Sequence, residues 1–247
     1  MHGTAKPVEP APSSEDVFDF DGEYGEEYEA LAYRLIPGYR TLFPMFAALI
    51  EPELPRRGRV LVVGAGTGIE IVHLKRVRPN LRVHGVDPSA QMLALAERRV
   101  AEAGAADGVT LHLGYTADLA PTPLFDAATL FNVLHFLPDD GSKAALLADI
   151  ARRLRPGGVF VFFDLHGGAT PEEHERYLSA WRRYWRVRGM TPGEMRTFNA
   201  RIRDGMHFVP PSRAVELARD AGLGEGRRFY KSLLYGGWTF QRNGERI

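Results

Sequence analysis

Residues Val60–Glu70 read V-L-V-V-G-A-G-T-G-I-E, an aliphatic run, then glycine at every second position, then an acid. The run is apolar at consecutive positions, which fits a strand of a parallel sheet covered on both faces. Gly64, Gly66 and Gly68 then supply positions without side chains. There the backbone can take positive φ and approach a ligand closely. A strand, a glycine turn and an immediate helix restrict the chain to the α/β class and mark a nucleotide site. The dinucleotide fingerprint G-x-G-x-x-G is not completed, because Ile69 stands at its last glycine.

The alternation continues downstream. Strands are expected at 59–63, 82–86, 109–113, 125–133 and 157–165, and helices at about Thr67–Arg78, 88–103 and 141–154. Pro79-Asn80 and the R-P-G-G of Arg155–Gly158 act as breaks between them. Short links between alternating strands and helices predict a Rossmann-like, doubly wound, seven-stranded sheet. It is mostly parallel and binds its ligand at the carboxyl ends of the strands. Residues 1–56 read as a disordered lead-in followed by a helical cap broken at Pro37-Gly38, and 57–247 as the nucleotide-binding domain. Residues 171–206 form a helical insertion after strand five, placed as a lid, and 212–223 a further helix. Residues 227–242 read as an antiparallel edge of two strands joined at Gly236-Gly237.

Composition removes several function classes. The chain has no cysteine, so disulfides, thiolate metal sites and a thiol nucleophile are excluded. No His-x-x-x-His pair or carboxylate cluster suggests a metal. No apolar run approaches the ~18 residues of a membrane span, and the first residues lack an apolar signal core. Together these favour a cytoplasmic protein with no membrane partner. Acids outnumber bases in residues 1–56, and the reverse holds in 151–247. These ends could attract one another within the fold or across a homodimer; alternatively, the arginines simply solvate outer helix faces. The stretch W-R-R-Y-W-R-V-R-G (181–189) mixes arginine with aromatics as RNA binders do. However, Tyr177, Trp181, Tyr184 and Trp185 share one helix face and read as a buried stripe.

Asp87 lies about twenty residues past the turn, where a carboxylate accepts both hydroxyls of a ribose. Its alternative is to cap the next helix, which Ser89 could also do. The ribose role suits NAD and S-adenosylmethionine (SAM) equally. V-L-V-V-G-A-G-T-G-I-E, V-H-G-V-D-P-S-A-Q-M-L-A-L-A, F-D-A-A-T-L-F-N-V-L-H-F-L-P-D and I-A-R-R-L-R-P-G-G-V-F-V-F-F-D follow one another through 57–165. In order and spacing this resembles the class I SAM-dependent methyltransferases. R-L-I-P-G-Y-R-T-L, L-F-N-V-L-H-F-L-P and F-Y-K-S-L-L-Y-G-G-W-T-F-Q are more narrowly similar to the tRNA wobble-uridine carboxymethyltransferases, which use carboxy-SAM.

The resemblance implies SAM as cofactor, held by Gly64, Ala65, Gly66, Thr67, Gly68, Asp87, Pro88 and Met92. Backbone at Thr116 and Ala117 would read the adenine. Asp118 either replaces the family's adenine acid, where Tyr115 now stands, or caps a helix. Tyr39 would reach over the methionine end, Asn132 would line it, and Glu70 would lie near that end or cap its helix. Two departures from the carboxymethyl branch matter. Its first motif is closer to D-L-G-C-S, and the arginine that reads the extra carboxylate aligns with Phe198-Asn199, with Arg201 and Arg203 nearby. Plain SAM and a small-molecule substrate are therefore expected rather than tRNA.

Methyl transfer is an in-line displacement, helped by positioning and by aromatic faces near a sulfonium. Tyr39 and Tyr184 are the expected pocket aromatics among Phe136, Trp185, Tyr230, Tyr235 and Trp238. His166, in a glycine-flanked loop, is the candidate base, with His135 expected to pack below the site. Asp164 orients an amine or caps a strand end. The alternative chemistry consumes SAM itself, its amine closing on its own γ-carbon to give azetidine-2-carboxylate and methylthioadenosine. A NAD-dependent oxidoreductase is a further alternative.

Overall fold

Strands β1 (Arg59–Val63) and β4 (Phe125–Phe131) have almost no polar face to offer solvent, and they lie side by side at the centre of the sheet. The computed structural model of the chain describes residues 17–244, so the expected disordered lead-in lies outside the described residues. The other strands are β2 (Arg82–Asp87), β3 (Val109–Leu113), β5 (Leu154–Leu165), β6 (Arg227–Ser232) and β7 (Tyr235–Gln241). Their order is β3-β2-β1-β4-β5-β7-β6. The five strands β3, β2, β1, β4 and β5 pair in parallel, and β7 runs antiparallel to both of its neighbours, β5 and β6, which makes the antiparallel edge that the sequence predicts. The order reverses between β1 and β4, which puts the glycine turn at the switch point of the sheet.

Residue alternation splits the core into two layers. Val60, Val62, Ala127, Val161 and Phe163 face one side. Here they meet α1 (Glu23–Leu35), α2 (Tyr39–Ile50), α3 (Ile69–Val77) and α4 (Ala90–Glu102). The lid helices α6 (Pro171–Val187) and α7 (Pro192–Gly205) join the same layer. Leu61, Val63, Ala128, Leu130, Phe160 and Phe162 face the other side, against α5 (Ser142–Arg153) and α8 (Pro211–Asp220).

Two local expectations are corrected. The R-P-G-G does not precede strand five but lies within it: Phe125 pairs with Leu154 and Ala127 with Val159, so Arg155–Gly158 form an irregularity in the ladder. Proline has no N–H for a ladder, and an irregularity is where a strand tolerates it. The last hairpin turns at Leu233-Leu234, with Leu233 at φ 52°, and not at Gly236-Gly237. Those glycines are inside β7 for steric reasons. A Cβ on Gly236 would lie 2.2 Å from the Trp238 ring, and one on Gly237 2.7 Å from the Phe229 ring.

Cap and lid are fastened together. The Pro37-Gly38 break is real, with Gly38 at φ 75° before α2. Each lid helix starts with a threonine cap and a proline in its first turn: Thr170 accepts from Glu173 N–H and Thr191 from Glu194 N–H. Trp181 and Trp185 form the predicted buried stripe, edge to face at 4.6 Å. The Trp181 indole N–H donates to Leu35 O at 2.7 Å. An ion pair joins cap and lid with the guanidinium, Arg34, on the acidic cap and the carboxylate, Glu194, on the basic lid (2.8 Å), the opposite sense to an attraction between the net charges of the two ends.

Candidate active site

The three turn glycines serve different purposes. All have positive φ: 70° at Gly64, 50° at Gly66 and 75° at Gly68. A Cβ on Gly64 would lie 2.3 Å from the Val133 side chain, and one on Gly68 2.9 Å from Cα and Cβ of Ala96. Gly68 thus gives the close helix approach that the dinucleotide pattern assigns to its last glycine. Around Gly66 the nearest atom to such a Cβ is Gly64 O at 3.9 Å, so this face of the turn is left open to a ligand.

Asp87 ends β2 beside that open face and is 8% exposed. Its Oδ2 accepts from Gly66 N–H (2.8 Å) and its Oδ1 from Ser89 N–H (3.0 Å). Each carboxylate oxygen has further lone pairs. Burial raises the Asp87 carboxyl above its ordinary range, with the two N–H donors acting in opposition. Ser89, not Asp87, caps α4, accepting from Met92 N–H at 3.0 Å. Met92 is buried in the first turn of that helix, and Pro88 is exposed beside Asp87.

A strap from the cap crosses above the turn. Asp21 Oδ1 accepts from Ser89 Oγ (2.7 Å) and Gln91 N–H (2.9 Å) at the end of β2. Phe18 and Phe20 pack edge-on to Phe136, past the end of β4, at 5.0 and 5.5 Å. The strap therefore bridges both strands that flank β1. Sequence reading missed it, since Phe18, Phe20 and Asp21 match no motif and have meaning only through their distant partners.

Beneath it lies a buried polar cluster. Tyr39, the first residue of α2, stands edge-on to Tyr33 and Phe43. Tyr28 of α1 hydrogen-bonds with the Tyr39 and Asn132 side chains, and burial pushes its phenol up to about 12 against those bonds. Asn132 follows β4 at φ 57°, its N–H given to Phe163 O (2.9 Å), and its Oδ1 is buried with no partner among the described residues. Glu70, in the first turn of α3, is 4% exposed, and its Oε1 also lacks a partner among them. Burial pushes its carboxyl up to about 8, with a smaller opposing pull from the Thr129 hydroxyl. Two unpaired buried acceptors suit a ligand that carries a cation, just as Asp87 suits one that carries a diol. Tyr28 had no signal in the sequence beyond its place on the buried face of α1.

The remaining expected residues are placed as follows. Ala65 donates its N–H to Val86 O (3.0 Å), which fixes the turn on β2. Thr67 is turned away, its Oγ1 accepting from Arg99 (2.7 Å). Thr116 and Ala117 form a short turn after β3, Thr116 buried and hydrogen-bonded to Asp149, and Ala117 exposed. Asp118 accepts from Tyr115 N–H (2.8 Å) and so takes its capping role. Tyr184 sits beside Tyr230 rather than Tyr39. His135 does pack below the site: Asp164 Oδ1 meets its Nδ1, and Asp164 Oδ2 accepts its backbone N–H (3.1 Å). With Leu165 N–H also on Oδ1 (2.7 Å), Asp164 holds the strand end. His166 lies across the β5–β7 pair from the tyrosines, edge-on to Trp238 (5.0 Å) and Phe162 (5.7 Å). Burial pushes its imidazole down to about 4, so it is neutral at physiological pH. Among the described residues no group of His, Asp or Glu is arranged to hold a metal.

A family model described as a methyltransferase domain matches residues 61–160. The chain is 28% identical to a demethylmenaquinone methyltransferase of Symbiobacterium thermophilum, over 72% of each chain. It is 29% identical to a carboxy-S-adenosyl-L-methionine synthase of Campylobacter concisus, over 59% of this chain and 60% of that one. The latter fits the resemblance to the carboxy-SAM branch. Of another curated relative, a Synechococcus protein matched at 34% identity over 51% of this chain, the chain spans only 31% of the length. Among solved structures, the [4+2]-cyclase SpnF shares the fold with a TM-score of 0.67 at 16% identity, over 95% of this chain and 98% of that one.

Proposed function

We propose that the chain is an enzyme of the class I SAM-dependent methyltransferase fold that uses SAM to methylate a small molecule; the methyltransferase-domain match and the methyltransferase relatives support this. The observation that carries this reading is the closure over the strand ends. The Trp181–Leu35 hydrogen bond and the Arg34–Glu194 pair lock lid to cap, and the Asp21–Ser89 contact holds the strap across the turn. Contacts that draw cap, strap and lid together over the strand ends favour a small acceptor over a nucleic acid. Several lid arginines are also engaged internally: Arg182 donates to Asn199 (2.7 Å), and Arg201 stands over the Tyr24 ring (4.8 Å).

When bound, SAM supplies a methyl carbon made electrophilic by a sulfonium. In our reading Asp87 takes the ribose hydroxyls, the open face at Gly66 admits the nucleoside, and Glu70 and Asn132 face the amino-acid end. Tyr28 and Tyr39 add aromatic faces there, each worth about 0.5–2 kcal/mol toward a cation. The strap and lid exclude water, which leaves positioning as the main catalytic term, on the order of 7–11 kcal/mol in favourable cases.

One observation favours a second reading. Burial pushes the Glu70 carboxyl up to about 8, so its ionised form, which grows as pH approaches 8, is basic enough to take a proton from an adjacent ammonium. Intramolecular cyclisation of SAM, with release of methylthioadenosine, would use that step. Purified protein is incubated with SAM, with and without a fractionated cell extract, and products are read by mass spectrometry. S-adenosylhomocysteine that appears only with an extract fraction supports methyl transfer. Methylthioadenosine from SAM alone supports the second reading and overturns the first.

A further inference from the structure

A cavity of about 260 Å³ opens at the carboxyl end of β5, against the β6–β7 turn, and none of the residues assigned above to the cofactor lines it. Its walls are His166, Tyr177, Arg228, Lys231, Tyr235 and Trp238, with the glycines 167, 168 and 236. The local fold explains why two cations point into it. The register of β6 on β7 shifts between Arg228 and Tyr230, so Phe229 is an extra residue. Arg228 then pairs with Trp238 and Lys231 with Gly236, two β7 positions on one face of the sheet. Without the irregularity, the three-residue spacing would send the two side chains to opposite faces. Arg228 lies over the Trp238 ring at 5.1 Å and Lys231 over the Tyr177 ring at 5.5 Å, which leaves flat apolar walls beneath both charges.

A second feature of the cavity is independent of the cations. His166 is 2% exposed, and neither ring nitrogen has a hydrogen-bond partner among the described residues. An unsatisfied imidazole at that depth is unfavourable for folding alone. The one acid in the wall, Glu173, already accepts Ala169 N–H at 2.7 Å, so the cavity keeps a net single positive charge.

We propose that this cavity binds a small planar carboxylate, its anion between Arg228 and Lys231, its ring against Trp238 and Tyr177, and an N–H of His166 donated to it. A single excess charge favours a monoanion over a phosphate dianion. Binding of this ligand does not rest on the methyl-transfer reading. Tyr235 lines the cavity and also packs in the same core layer as Tyr28.

The test titrates the full chain with benzoate, phenyl phosphate and benzamide by NMR, with SAM affinity measured separately by calorimetry. Benzoate is expected to bind at least tenfold more tightly than benzamide, and the Arg228→Gln/Lys231→Gln double variant to lose that preference while SAM affinity is unchanged. His166→Phe should weaken benzoate at least fivefold without lowering Tm, a combination that a merely structural histidine would not give. Equal or absent binding of benzoate and benzamide overturns the proposal, and a tenfold preference for phenyl phosphate overturns the carboxylate assignment. Failure of the cofactor reading would show instead as lost SAM binding in the wild type, which these arms read independently.

Discussion

Glu70 shows how one residue can be legible in the sequence and still change meaning in the fold. Its position after the glycine turn leaves two roles open, methionine-end ligand or helix cap. Burial beside Tyr28, Tyr39 and Asn132 accounts for a carboxyl raised from 4.5 to about 8. Between those values the folded chain keeps a proton that the unfolded chain releases. The stability this contributes is therefore complete below 4.5 and is lost as pH rises through about 8. The Tm of the ligand-free protein should fall from pH 5 to pH 8 more steeply than that of Glu70→Gln. A cation bound beside Glu70 reverses the preference, so SAM affinity should rise with pH over the same window, by at most about tenfold per unit. Calorimetry across pH checks both trends, and identical slopes in the Gln variant would remove Glu70 from the account. Asp164 teaches the converse. Its sequence position next to a glycine loop leaves open whether it orients an amine or caps the strand end, and its oxygens are committed to His135 and to Leu165 N–H.

At the scale of the element, alternation and punctuation carried most of the information. Strands β1 and β3 have the boundaries read from the sequence, and α4 begins where Ser89 signals a cap. The glycines were read less well, because a glycine can be demanded by φ, by a ligand or by a neighbouring ring, and the sequence looks the same in each case. Gly66 and Gly68 separate two of these demands. Gly66→Val places its Cβ in open space, at a backbone cost of about 1–3 kcal/mol. It should retain a cooperative thermal transition and lose at least tenfold in SAM affinity. Gly68→Val must push Ala96 away, at about 4 kcal/mol from strain and overpacking combined. That corresponds to a Tm fall on the order of 8–16 °C for a domain of this size. Thermal unfolding and SAM titration of both variants check the pair; equal effects on both measurements would mean that the two positions share one role.

At the scale of the whole molecule, closure depends on contacts between segments far apart in the chain, such as Arg34 with Glu194 and Asp21 with Ser89. The Arg34–Glu194 pair is partly exposed, and pairs of this kind are worth about 0–1 kcal/mol. Arg34→Ala should therefore leave Tm within about 3 °C while raising amide hydrogen exchange across α6 and α7 by up to about fivefold. Exchange mass spectrometry reads this, and unchanged protection of both helices would show that Trp181 and its neighbours hold the lid alone. The sheet and its glycine turn were legible in the sequence alone. Strand periodicity, glycine spacing and the acid after β2 are local patterns, each set by backbone geometry within a few residues. The strap and the Tyr28–Asn132–Glu70 cluster near that turn, and the cationic cavity at the end of β5, became visible only in the folded chain. Each of these forms where side chains from separate segments meet, and it is burial and packing in three dimensions, not spacing along the chain, that gives those residues their charge states and partners.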